Sequence, residues 1–146
     1  SDKRESVLTS PAALTLPFSW TPDGQALSFV RMESMVSADI WTVSPTGDRV
    51  PYLVTPFADG NHDLSPDGRW MAYNSNESGQ LEVYIQRYSE PGEKVTVSTG
   101  GGVEPLWSPE GSELFYRNLT GDRMMVVTVS TEPTVLVSRS EVLFEG

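Results

Sequence analysis

The chain has 146 residues, 38% of them apolar, which is one ordinary domain's length with enough apolar side chain for a core. Acidic residues number 20 against 10 basic ones, a net charge of −10, without the cationic excess that nucleic acid or an anionic membrane surface requires. Cysteine is absent and histidine occurs once, which excludes disulfide scaffolds, thiolate sites and multi-histidine metal sites within one chain; no apolar run approaches the ~20 residues of a membrane span.

Gly (12) and Pro (11) are spread along the whole chain and leave few stretches long enough for a helix. The chain opens at Ser1 without methionine or a signal-peptide apolar region, so it reads as a processed product or a piece of something longer. Residues 4–9 read as an outer strand. Trp20-Thr21-Pro22-Asp23-Gly24 then leads into a strand carrying Leu27 and Phe29. Strands follow over 39–43 and 51–54, separated by the turn at 45–48. Leu64-Ser65-Pro66-Asp67-Gly68 leads into Met71 and Tyr73, with strands over 81–85 and 94–97 and a turn at 90–92 between them. Trp107-Ser108-Pro109-Glu110-Gly111 leads into Leu114 and Tyr116, with strands over 124–129 and 141–144 and a turn at 131–133.

These are three copies of one repeat. The motif glycines are 44 and then 43 residues apart, and each column keeps its chemistry: large apolar, hydroxyl, proline, acid, glycine, apolar at +3 and aromatic at +5. Proline presets φ, the acid accepts a backbone N–H, and glycine takes a positive φ, so the motif is a turn between hairpin strands. That role accounts for Pro22, Asp23, Gly24, Pro66, Asp67, Gly68, Pro109, Glu110 and Gly111 without metal binding or acid catalysis. Four strands in a period of about 43 residues is the arithmetic of a β-propeller blade. The fold class is all-β, with three four-stranded antiparallel blades over 16–57, 58–100 and 101–146. Residues 1–15 supply an outer or closing strand.

The Ser-Pro-Asp-Gly motif, with Trp or Leu before it and an apolar–x–aromatic strand after it, resembles the TolB-like, WD-type propeller repeat over roughly residues 16–146. Residues 63–84, Glu104 to Pro109 and the ending Val142-Leu143-Phe144-Glu145-Gly146 are similar to the C-terminal propeller behind some bacterial serine/threonine protein kinases. The resemblance implies a propeller in an extracytoplasmic setting. It leaves the function open, because such propellers also accompany peptidases, transport proteins and lyases. Kinase catalytic signatures are missing: no Gly-rich loop opens a helix and no His-Arg-Asp loop is present.

His62 is the one histidine any nucleophile–His–acid triad would have to use, but no Gly-x-Ser-x-Gly elbow accompanies it. It reads as a polar loop residue hydrogen-bonding the turn. Asp59, His62, Asp63 and Glu104 stand just before inner strands, in loops at one channel mouth, and form a candidate acidic binding site. Gly100-Gly101-Gly102 precedes Val103-Glu104-Pro105 and not a helix, so it is a linker and not a phosphate cradle. Trp20 and Trp107 share a repeat column, which points to packing between blades.

The expected function is therefore a non-catalytic module for protein interaction or ligand sensing. It takes a protein or peptide partner and needs no cofactor and no metal. Half of a gating propeller of a prolyl-oligopeptidase-like peptidase, or a metal-dependent propeller lyase, are the alternatives. Closed propellers have ~4–8 blades and this chain codes for three, so a homodimer completing a six-bladed ring is expected.

Overall fold

The computed structural model describes residues 14–145 except 22, 35–36, 56, 89–93 and 133. The strand over 4–9, Pro22, and the turn at 90–92 lie outside the described residues. Among the described residues there is no helix, and the chain forms three antiparallel sheets in sequence. Sheet 1 is β1 (Leu14–Trp20), β2 (Leu27–Ser34), β3 (Ser37–Val43) and β4 (Arg49–Leu53), in that order. Sheet 2 is β5 (Asp59–Leu64), β6 (Trp70–Ser75), β7 (Glu82–Arg87) and β8 (Lys94–Thr96). Sheet 3 is β9 (Val103–Trp107), β10 (Glu113–Arg117) and β11 (Arg123–Ser130), with an outer position split between β12 (Leu136–Val137) and β13 (Glu141–Glu145).

The alternation in β6 and β7 stacks the sheets. Met71, Tyr73 and Tyr84 point one way and join Val30, Ala38 and Ile40 of sheet 1 in one core. Trp70, Ala72, Val83 and Ile85 point the other way and join Trp107, Leu114, Tyr116 and Val127 of sheet 3 in a second. Every residue of β6 is buried. Truncating a side chain such as Met71, which has no exposed surface, costs about 2–5 kcal/mol through lost transfer energy and the cavity left behind. The inner strands β1, β5 and β9 lie side by side, with β5 in the middle.

Each inner hairpin is closed by the repeated turn. Gly68 N donates to Ser65 O (2.8 Å), and Gly24 and Gly111 do the same to Thr21 and Ser108. The three glycines have φ of 71°, 74° and 77°, a region open to glycine and strained for branched side chains. The hydroxyl and the acid divide the remaining backbone groups. Ser65 Oγ donates to Asp67 Oδ1 (2.6 Å) and accepts Trp70 N (3.1 Å), while Asp67 Oδ1 also accepts Arg69 N (3.0 Å). Thr21 and Asp23 repeat this with Gln25 N and Ala26 N. Hydrogen bonds from Thr21 and then from the Gln25 amide hold the exposed Asp23 carboxyl below its usual range. At the third turn Ser108 Oγ accepts Glu113 N (3.0 Å), with Glu110 exposed at the acid position.

The glycine linker between sheets 2 and 3 is held by a buried carboxylate. Glu82 Oε1 accepts Ser98 Oγ (2.6 Å) and Gly101 N (2.8 Å), and its Oε2 accepts Gln80 Nε2 (3.1 Å). Gly101 has φ of 105°, and a Cβ on Gly102 would come within 2.9 Å of Tyr116. Both residues are glycine for steric reasons.

A substitution at the third turn separates backbone strain from packing. A Cβ at Gly111 meets nothing closer than Pro66 Cδ at 3.4 Å, so the strain of a positive φ dominates. Gly111→Val should lower the unfolding free energy by roughly 1–3 kcal/mol and Gly111→Asn by much less, read from urea denaturation midpoints.

Candidate functional site

The three inner strands share an irregularity at the same repeat position. The register of β5 on β6 slips between Gly60 and Asp63, that of β9 on β10 between Val103 and Leu106, and that of β1 on β2 between Pro17 and Ser19. Each slip places an extra residue on the inner strand, which makes it a β-bulge. Counting back two residues from the motif's leading apolar residue gives Phe18, His62 and Pro105; counting back three gives Pro17, Asn61 and Glu104. Asn61 (φ 38°) and Glu104 (φ 56°) are the non-glycine residues with positive φ among those described. Asparagine tolerates this conformation; for glutamate the strain is of order 1–3 kcal/mol. The bent strand sends Glu104 N to Asn74 Oδ1 of sheet 2 (3.2 Å), while Arg117 Nη1 holds the Glu104 carboxylate at 2.9 Å.

The bulges line one cavity of about 470 Å³, walled by Phe18 from β1, Asn61, His62 and Asp63 from β5, and Glu104, Pro105 and Leu106 from β9. His62 is 3% exposed, its ring centroid lies 4.8 Å from that of Phe18, and neither ring nitrogen has a hydrogen-bond partner among the described residues. Burial lowers its pKa to about 4, so at neutral pH it presents one N–H donor and one acceptor. Burial raises the Asp63 carboxyl, opposed by the Trp107 amide that donates to Oδ2 (2.9 Å). The Asp63 carbonyl accepts Trp107 Nε1 (3.1 Å), which locks β5 to β9.

Of the four residues expected at a channel mouth, His62, Asp63 and Glu104 meet here and Asp59 does not. Asp59 is 1% exposed, is bonded by Thr55 Oγ1 (2.6 Å), and does not line the cavity; burial raises its carboxyl pKa. The residues were expected in loops, but Asp59, His62 and Asp63 lie on β5 and Glu104 on β9. The strands begin earlier because backbone pairing resumes upstream of each bulge, at Asp59 with Ser75 and at Val103 with Arg117. His62 was read as bonded to the turn, whereas its ring is packed against Phe18. The sequence reading does not single out Phe18, Asn61, Pro105 or Leu106 as lining residues, although the repeat alignment puts Phe18 and Pro105 in the column of His62.

The lining offers a neutral imidazole, an amide, two carboxylates and an apolar floor. It holds no serine, cysteine or lysine to act as a nucleophile. No group of three or more metal-ligating side chains occurs among the described residues.

The buried histidine gives a pH dependence with a definite sign. The unfolded chain takes up its proton near pH 6.5 and the folded protein only near pH 4. Stability is therefore complete above pH 6.5 and is lost as pH falls through that window, by roughly 3 kcal/mol at its foot. Urea unfolding at several pH values should show this loss relative to His62→Gln, and NMR titration of the ring should give the low midpoint directly.

No family model matches the chain. It is 28% identical over 105 residues to an uncharacterized protein of Agrobacterium fabrum, covering 70% of the chain and 36% of that protein. It is 30% identical over 124 residues to the uncharacterized peptidase YuxL of Bacillus subtilis, covering 79% of the chain and 19% of that protein. The chain thus spans about a third and about a fifth of the length of these relatives. Among solved structures, a TolB from Agrobacterium tumefaciens superposes with a TM-score of 0.76 at 20% identity, over 93% of the chain and 51% of that structure. A prolyl endopeptidase superposes with a TM-score of 0.60 at 17% identity, over 99% of the chain and 26% of that structure. With its three antiparallel sheets around neighbouring inner strands, the chain has the fold of a TolB-like β-propeller.

Proposed function

We propose that the chain is a non-catalytic propeller module that binds a protein or peptide segment over the inner-strand cavity. The observation that carries this reading is His62: a buried neutral imidazole with no partner for either nitrogen among the described residues, in a cavity whose lining holds no serine, cysteine or lysine. An unpartnered buried polar group is costly, about 1–3 kcal/mol, and a ligand that bonds it recovers that energy. Peptide groups supply both the donor and the acceptor an imidazole needs, and the apolar floor of Phe18, Pro105 and Leu106 suits an apolar side chain. The likeness of residues 63–84 to propellers behind bacterial serine/threonine kinases supports a sensing role coupled to such a kinase. The ring is completed by a second copy, giving six blades. A second reading, half of a peptidase's gating propeller, is favoured by the likeness to YuxL; there the chemistry would belong to another domain.

Selection from a random peptide display library, followed by titration monitored on the His62 ring by NMR, tests the first reading. Selected peptides should shift the His62 resonances and lose at least tenfold in affinity with His62→Phe. Selected peptides that leave these resonances unmoved would count against it. So would peptide or polysaccharide turnover by the purified chain that is abolished by His62→Ala.

A further inference from the structure

We infer that the cavity wall supplied by β1, β5 and β9 takes an arginine side chain presented by a peptide segment. The guanidinium is received by Asp63 and Glu104 and bonds the His62 ring. This rests on the binding-module reading above and names the group that the module recognises.

Charge is the first selector. The charged residues of the lining are Asp63 on β5 and Glu104 on β9, both acidic, and burial keeps His62 neutral at neutral pH. A wall of that sign in a chain of net charge −10 repels anions and draws cations. Each carboxylate has one oxygen committed. Asp63 Oδ2 accepts Trp107 N at 2.9 Å, and Glu104 Oε2 accepts Arg117 Nη1 at 2.9 Å. Asp63 Oδ1 and Glu104 Oε1 are left without a bond among the described residues. Arg117 is the chain's own example of the contact, since its fork spans Glu104 and the Gly121 carbonyl (3.1 Å). It serves Glu104 from outside the lining, and Asp63 has no ion-pair partner among the described residues. Burial raises the Asp63 carboxyl, a cost to its charged form that an approaching cation removes.

His62 is a second and independent selector. It is 3% exposed, it lines the same cavity, and neither ring nitrogen is bonded among the described residues. A neutral imidazole has one N–H and one bare nitrogen. A guanidinium carries donors only, so it answers the bare nitrogen, and a carbonyl of the segment that bears it answers the N–H. The acceptors stand on two strands, which suits a planar fork of five N–H groups better than the point charge of a lysine. The remaining wall suits the rest of the side chain. Phe18, Pro105 and Leu106 offer apolar surface to its methylene stem, and a guanidinium packs on an aromatic face such as that of Phe18. At about 470 Å³ the cavity lies within the ~300–1,000 Å³ usual for small-ligand sites.

The repeat shows that the second acid is not imposed by the fold. Pro17, Asn61 and Glu104 occupy the same column, three residues before the motif's leading apolar residue. Glu104 has φ of 56°, a conformation that asparagine accepts with little strain and glutamate does not. Its N–H goes to Asn74 Oδ1 (3.2 Å), a bond that any residue but proline could make. The backbone gives no reason for an acid at this position, whereas a cation in the cavity does.

Capped alanine peptides with arginine, lysine, citrulline or norleucine at the centre test this by titration into the chain at neutral pH, with the His62 ring followed by NMR. The arginine peptide should shift the ring resonances saturably. Citrulline keeps the shape and removes the charge, so its peptide should bind at least tenfold more weakly, and the lysine peptide at least threefold more weakly. Asp63→Asn and Glu104→Gln should each weaken the arginine peptide at least fivefold and shrink its advantage over citrulline, a ratio that a merely structural defect would not move. Asp63→Asn keeps an oxygen for the Trp107 amide and Glu104→Gln changes an exposed side chain, so a folding defect in one leaves the other to decide. Equal binding of the arginine and citrulline peptides overturns the inference. So does a preference for arginine that survives both substitutions, or arginine binding that leaves the His62 ring unmoved. Library-selected peptides separate this result from the parent reading. If they shift His62 while the arginine peptide does not, the arginine assignment fails and the binding module stands; if neither shifts it, both fail.

Discussion

Sheet 2 has no face for solvent, and the rest of the structure follows from that. Successive residues of a strand point to opposite faces, so a strand buried at every position, as β6 is, must lie between two other layers. Met71 and Tyr73 need sheet 1, and Trp70 and Ala72 need sheet 3. Because the three sheets are written by one repeat, the requirement is inherited by the terminal sheets, whose outer faces carry the same columns. A stack of this kind has two honest endings: polar caps or further sheets. On sheet 3, Leu114, Tyr116 and Val127 face sheet 2, so the paired residues Leu106, Phe115 and Val126 form an apolar row on its other face.

What converts this stack into a site is the geometry of its inner edge. The Pro-acid-Gly turns fix the hairpin register at one end of each inner strand, leaving no freedom to slip there. The bulges then absorb one residue a short way upstream. Between these two fixed points the strand is bent, and the side chain two residues ahead of the motif is aimed into the common cavity. At His62 this places an imidazole against Phe18 in a position where its nitrogens find no partner among the described residues. The surrounding lattice holds the arrangement in place. Asp63 locks β5 to Trp107, Asn74 takes the amide of Glu104, and Glu82 ties down the linker that carries the chain from sheet 2 to sheet 3.

The sequence made legible whatever is enforced locally. The turn at Ser65 to Gly68 is readable because proline, acid and glycine each answer a single backbone requirement there, and Met71 and Tyr73 follow at the spacing of a half-buried strand. Long-range features were not readable. Glu82 looks like a surface acid in a polar stretch, and only the return of Ser98 and Gly101 makes it a buried acceptor. The split of the outer strand into β12 and β13 depends on Ser138, whose N–H and hydroxyl bridge to Thr128 where the strand breaks. Asp59 and Asp63 are four residues apart with the same charge, yet a single bulge between them sends one to Thr55 and the other to Trp107. No local pattern records that difference, because the bulge is set by pairing with β6. His62 was singled out for its rarity, while its burial came from Phe18, 44 residues away in the chain.

The recognition role proposed for the cavity rests on an energetic argument. A general base works best with a pKa near the operating pH, whereas burial carries His62 to about 4, where it is a weak base. Burial is the cause of that shift, and burial likewise raises the Asp63 carboxyl next to it in the chain. The Glu104 carboxylate pairs with Arg117 Nη1 of its own sheet at 2.9 Å, on the exposed side of the cavity wall. A neutral ring held rigid, desolvated and unbonded is poorly suited to moving protons. It is well suited to discriminating between ligands, because a partner that supplies a hydrogen bond gains what one lacking it forfeits. The strain at Glu104 and the unmet bonds of His62 are both costs to the folded chain, and both lie on the wall of the same cavity.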